Sequence, residues 1–278
     1  MTFIEKLKKR QRAVNSMLCV GLDTDKDEDS VLVFNKVIID ATAEFVCSYK
    51  LNLSFYSVSG RMQVILKDTI DYIHGNHPEI PVILDAKESD TANSAKKYVQ
   101  GVFGRFEVDA ATINPYLGQD SCQPFLDQED KGIFILCKTS NPGSHDFQDL
   151  VVQPPTHSPY RTCYLWEYVA FEVTNFWNKN GNCGVVVGAT YPKVLKRVRK
   201  IVGDMPILVP GVGVQAGDLE EVVRYGLDST GFGLIISVSR SVIYASRGPD
   251  FATAAANEAK KFRDRINELK GDRKTDEQ

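Results

Sequence analysis

Three features of the 278-residue chain predict its fold class. Eight short apolar runs alternate with segments of helical periodicity. The runs are continuously hydrophobic rather than alternating, as in a parallel sheet covered on both faces. Polar side chains gather just past their C-terminal ends. Together these predict an α/β chain folded as a single (β/α)₈ barrel, the TIM-barrel architecture, which typically takes about 250 residues. An open doubly wound sheet fits the periodicity about as well, and the count and length of the units favour closure.

The elements follow in order. The chain opens on a basic segment, 1–16, whose Phe3, Ile4 and Leu7 share one face of an amphipathic helix. It lacks the apolar run of a secretory signal. Strands are expected at 17–22, 46–51, 81–86, 108–113, 132–137, 183–188, 207–209 and 233–238, each rich in Val, Ile, Leu or aromatic residues. Helical spacing of apolar residues places helices at 31–45, 61–74, 92–103, 166–178, 193–202 and 219–225, with a final helix at 251–269. The stretch 141–161, rich in Pro, Ser and His, reads as one long loop after the fifth strand, of a length often tied to function. The polar residues 271–278 read as a frayed tail. No linker divides the chain, so residues 1–278 are expected to form one domain.

Composition narrows the function. With 33 basic and 36 acidic residues the net charge is −3, which offers no electrostatic reason to bind nucleic acid. No apolar stretch approaches the roughly 18 residues of a membrane span. The six cysteines form no CxxC pair and no zinc pattern, and read as buried free thiols in a reducing cytoplasm. The four histidines form no HExxH motif, so no metal site is expected.

In a barrel of this kind the reactive groups stand at the C-terminal ends of the strands. There the sequence places Asp23 after strand one, Lys50 near the end of strand two, and Asp85, Lys87 and Asp90 after strand three. Asn114 follows strand four, Lys138, Thr139 and Ser140 strand five, and Thr190 strand six. Ser239 and Arg240 follow strand eight. Asp85 and Lys87, two apart on an extended segment, share a face, and Lys50 lies at the same end of the neighbouring strand. The spacing permits an alternating Lys–Asp–Lys–Asp array. At about 4 Å and an effective dielectric near 20, each contact is worth about 4 kcal/mol and keeps its members ionised. The same residues could equally form a solvated strand end, with Asp90 capping the next helix. The glycines of Pro210-Gly211-Val212-Gly213-Val214-Gln215 free backbone amides to approach an anion, and Arg240 can add a forked cationic contact. A phosphate site fits this pair, although a Gly-rich turn beside a surface arginine would look alike. Cys137-Lys138-Thr139-Ser140-Asn141-Pro142-Gly143 offers hydroxyls suited to a polar heterocycle, or simply a turn.

Taken in order, these motifs resemble the orotidine 5′-phosphate decarboxylases, in particular their longer, type 2 group. The likeness runs through Cys19-Val20-Gly21-Leu22-Asp23, Lys50-Leu51-Asn52, Asp85-Ala86-Lys87-x-x-Asp90 and Asn114-Pro115-Tyr116-Leu117-Gly118. It continues through Thr139-Ser140-Asn141-Pro142-Gly143, Val187-Gly188-Ala189-Thr190, the glycine segment ending at Gln215, and Ser239-Arg240. The resemblance implies a cytoplasmic homodimer that converts orotidine 5′-monophosphate to UMP and CO₂ without metal or organic cofactor. It implies that Lys87 donates the proton to C6, with Asp85 beside the leaving carboxylate. Lys50 and Asp90 complete a charged tetrad, Asp90 reaching in from the partner subunit. Asp23, Lys50 and the partner's Ser94 contact the ribose, Ser140 the pyrimidine, and Gln215, Arg240 and nearby backbone amides the phosphate, with Ser239 also a substrate-binding residue. One departure stands out. The family usually reads Lys-Arg-Gly-Asp where this chain has Lys87-Glu88-Ser89-Asp90, which reverses the charge at position 88. Alternatives are a metal-dependent sugar-phosphate lyase or decarboxylase of the same barrel group, and a non-catalytic phosphate-binding barrel.

Overall fold

The computed structural model describes residues 1–213 and 216–276, without the side chains of 216–218 and 272–276. Eight parallel strands close into a barrel: β1 (Leu18–Gly21), β2 (Ser48–Asn52), β3 (Val82–Glu88), β4 (Ala110–Ile113), β5 (Gly132–Lys138), β6 (Cys183–Val187), β7 (Ile207–Pro210) and β8 (Leu234–Val238). Neighbours in sequence are neighbours in the sheet, and β8 returns to β1 with Leu18 opposite Ile236. All eight expected strands are present, and the sheet is closed rather than open.

The barrel has two apolar layers. Outward-facing residues of the strands, such as Tyr49, Leu51 and Leu84, pack beneath the helices. Inward-facing Cys19, Ile83, Phe134, Val186, Leu208 and Ile235 form a separate interior cluster. The N-terminal helix Phe3–Val14 seals the bottom of that interior. Its entry is fixed by a capping box, with Thr2 and Glu5 satisfying each other's backbone N–H groups. It buries Phe3 and Leu7 against the interior cluster, and Phe3 meets Phe134 edge-on with ring centroids 5.7 Å apart. Burying such a ring stabilises by about 1.5–3 kcal/mol. Gln11 Nε2 donates to the Leu234 carbonyl at 2.7 Å, which ties the seal to β8.

Two expected helices change type before they end. The segment expected at 92–103 is Ala92–Val99 followed by a π-helical turn, Gln100–Arg105, and that at 166–178 is Leu165–Glu172 followed by Val173–Trp177. A helix not expected from the sequence, Gln119–Leu126, follows β4. The loop after β5 holds a 3₁₀ turn, Pro142–Asp146, and a small antiparallel pair, Val151–Val152 with Cys163–Tyr164. The last helix, Phe251–Asp276, continues through much of the segment expected as a frayed tail. All six cysteines are buried free thiols. Among the described residues no helix is long and apolar enough to cross a membrane.

Candidate active site

Successive residues face opposite sides of the sheet, so one stripe of each strand points inward. On β3 that stripe passes from apolar Ile83 to Asp85, and on β2 it is polar throughout: Ser48, Lys50, Asn52. The polar ends line an open cleft of about 1310 Å³. Its walls include Asp23, Lys50, Asp85 and Lys87 on one side, Thr139 and Ser140 on another, and Gly211, Gly213, Ser239 and Arg240 beyond.

The charged groups form a row. Lys50 Nζ lies 3.4 Å from Asp23 Oδ2 and 3.3 Å from Asp85 Oδ2, and Lys87 Nζ lies 2.7 Å from Asp85 Oδ1. Lys50 is nearly sealed from solvent, with 4% of its surface exposed, whereas the Lys87 side chain is 43% exposed at the mouth. Burial alone would lower the Lys50 ammonium, but the carboxylates of Asp85 and Asp23 hold it above the usual lysine range. Burial would likewise raise Asp85, yet Lys50 and Lys87 hold its carboxyl down to about 2. Lys50 and Asp85 are therefore ionised throughout the neutral range. Neutral donors fix the carboxylates further. Asp85 Oδ1 accepts from Thr112 Oγ1 at 2.8 Å, Asp23 Oδ1 from the Asn52 N–H at 3.0 Å, and Asp23 Oδ2 from Ser239 Oγ at 2.9 Å.

The Asp85–Lys87 pair does not arise as the sequence spacing suggested. Pairing of β3 with β4 shifts register between Leu84 and Glu88, and Lys87 sits at φ 55. A left-handed non-glycine residue is strained by roughly 1–2 kcal/mol. Here the Lys87 N–H donates to Thr112 Oγ1 at 2.9 Å, so one threonine fixes both the lysine backbone and its carboxylate partner. Glu88, the next residue, is half-buried, and burial pushes its carboxyl up to about 7.

The other expected residues divide into three groups. Ser140 lines the cleft in a notch between two glycines: a Cβ on Gly188 would fall 2.7 Å from Ser140 Cα, and one on Gly211 3.4 Å from Ser140 Cβ. Gly211 also takes φ +88, open to glycine without strain. Ser239 and Arg240 line the same cleft. Asp90 and Ser94 do not line it. Asp90 Oδ1 instead accepts from the Thr91 N–H at 2.6 Å, one residue before the cap of the helix Ala92–Val99. Asp90 forms no ion pair with Lys50 or Lys87 within the chain, so the row here is Asp23–Lys50–Asp85–Lys87, with Asp23 as the terminal anion. Gln215 lies outside the described residues. Lys138, expected at the rim, is fully buried, paired with Asp149 Oδ1 at 2.8 Å and stacked over the Tyr191 ring. A register shift between Leu136 and Lys138 turns it out of the barrel. Sequence reasoning missed Thr112, Asn52 and Gln148, which all serve through hydrogen bonds rather than charge. For Thr112 the signal was available, since it precedes Asn114 on the inward face of β4.

Residues 16–256 match the family described as Orotidine 5′-phosphate decarboxylase / HUMPS family. The chain is 45% identical to the orotidine 5′-phosphate decarboxylase of Cellvibrio japonicus, over 96% of this chain and 98% of that one. It is 44% identical to that of Azoarcus sp., over 96% and 99%. Among solved structures it is similar to the OMP decarboxylase of Leishmania donovani, with a TM-score of 0.84 and 37% identity, covering 97% of this chain and 99% of the other.

Proposed function

The chain belongs to the orotidine 5′-phosphate decarboxylase / HUMPS family, and from that premise we propose how its cleft decarboxylates orotidine 5′-monophosphate to UMP and CO₂, the last step of de novo pyrimidine nucleotide synthesis. The observation that carries the reading is the fixed row Asp23–Lys50–Asp85–Lys87 at the open end of the barrel. Loss of CO₂ from C6 leaves an electron pair on a carbon with no adjacent carbonyl to delocalise it. Stabilisation then has to come from a preorganised cation. In this reading the Lys87 ammonium stands at C6, offsets the developing charge, and delivers its proton as the C–C bond breaks. The new C6–H bond takes that pair, and the carboxylate departs as neutral CO₂. Asp85 faces a carboxylate in the ground state and a neutral molecule afterwards, so its repulsion is relieved on the way to the transition state. Lys50, held between Asp23 and Asp85, keeps Asp85 ionised and in place.

The rest of the cleft reads as the substrate's frame. Asp23 and Lys50 take the ribose hydroxyls, and Ser140 takes the polar edge of the pyrimidine. Arg240 and the backbone amides of Gly211 and Gly213 take the phosphate, beside Ser239. Binding energy from the remote phosphate can hold the cleft closed around the reacting carbon. Asp90 and Ser94 do not line their own chain's cleft, which is compatible with a homodimer in which each completes the partner's site. Six buried thiols with no disulfide among them support a reducing, cytoplasmic setting.

The test is direct. The purified chain, with chelator present, should remove the orotate absorbance of the substrate at an undiminished rate. Absence of turnover overturns the reading, and turnover that disappears with chelator moves the chain to the metal-dependent branch of the barrel group. The relatives, all orotidine 5′-phosphate decarboxylases by name, do not favour that alternative.

A further inference from the structure

Besides Asn141, the long segment after β5 places a second residue against the cleft wall, Gln148. Both ends of its amide are engaged by a single residue. Oε1 accepts from the Thr139 N–H at 2.9 Å, and Nε2 donates to Thr139 Oγ1 at 2.9 Å. The Thr139 hydroxyl in turn donates to Asn141 Oδ1 at 2.7 Å. A carboxamide can satisfy a backbone donor and a hydroxyl acceptor together; a carboxylate, which only accepts, meets the first and not the second. Ser140 stands between the two residues so tied, with Gly188 and Gly211 against its other side.

Gln148 is itself anchored. Its N–H donates to the Ser144 carbonyl at 3.0 Å, and its carbonyl accepts from the Trp166 N–H at 3.1 Å. The adjoining Asp149 pairs with buried Lys138 at 2.8 Å. The loop therefore acts as a brace with a fixed foot, and Gln148 is the point at which it bears on the rim.

We infer that Gln148 is a positioning residue for base recognition. It holds the Thr139–Asn141 rim so that Ser140 meets the pyrimidine, and it sets affinity for the base rather than for the ribose phosphate. This rests on the nucleotide reading proposed above. The experiment compares inhibition of turnover by UMP and by ribose 5-phosphate in the parent chain, Gln148→Ala and Gln148→Glu, with thermal unfolding alongside. Gln148→Ala removes two hydrogen bonds, and UMP inhibition and the substrate KM should both weaken about tenfold or more. Inhibition by ribose 5-phosphate should move by less than about twofold, and kcat should fall less than KM rises. Gln148→Glu keeps the acceptor for the Thr139 N–H and should recover part of the loss; it also supplies the comparison if the alanine variant does not fold. Equal weakening of both ligands, or no weakening of UMP, overturns the inference. A parent chain that binds UMP no better than ribose 5-phosphate overturns the nucleotide reading, and the inference with it.

Discussion

Replacing Asp85 by Asn removes the anion shared by two ammoniums without changing its shape. At 2.7 and 3.3 Å the contacts with Lys87 and Lys50 are worth about 6 and about 5 kcal/mol at an effective dielectric near 20. Most of that offsets the desolvation of a carboxylate that is only 8% exposed. The net is read from its titration. A carboxyl held at about 2 against an ordinary 3.8 contributes about 2 kcal/mol at pH 7. Because the folded pKa is the lower one, the contribution is complete above pH 4, about half remains at pH 3, and it vanishes as pH falls through 2. Urea unfolding of the parent and Asp85→Asn should therefore differ by about 2 kcal/mol at pH 7 and by about half that at pH 3. Turnover should be lost at both. A variant as stable as the parent at pH 7, or a gap that does not shrink in acid, would refute the claim that the row is a net favourable ion network.

Three further outcomes are expected. Lys87→Ala should abolish decarboxylation, by at least about a thousandfold in kcat, while gel filtration and circular dichroism report an unchanged fold; retained turnover would remove the lysine from its role. Glu88 is held up at about 7 against an ordinary 4.5, so the folded state resists its ionisation and stability falls as pH rises between those values. Glu88→Gln should then melt higher than the parent at pH 8, by about 1–2 kcal/mol after allowance for partial exposure, and equally at pH 4. Phe3→Ala should cost about 3–5 kcal/mol in chemical denaturation by opening a cavity at the sealed end of the barrel, with KM unchanged.

Much of this was legible in the chain because the barrel separates its signals. The strands are short and buried on both faces, so they read as uninterrupted apolar runs. Asp23, Lys50, Asp85 and Lys87 each stand where such a run stops. What was not legible depends on local backbone geometry. The register shifts that lift Lys87 into a left-handed turn and rotate Lys138 out of the barrel leave no mark in a two-residue alternation. The helix Gln119–Leu126 contains Pro124 and four polar residues, which blurs its period. Gln148 sits in a segment with no periodicity, and only the folded loop brings it to Thr139. That Asp90 and Ser94 stay off the lining of their own chain's cleft was not legible either, since their spacing from Lys87 does not say where the turn after β3 carries them.

Asp23 follows the first strand, accepts from the Asn52 N–H at the end of the second, and accepts from Ser239 just past the last. It thus fastens the seam where the two ends of the sheet meet. A nascent chain that has made seven strands holds every lysine of the row and still lacks the clasp that orients them. A fragment that stops short of the eighth strand is therefore expected to be inert however well it packs, since it lacks Ser239 and Arg240.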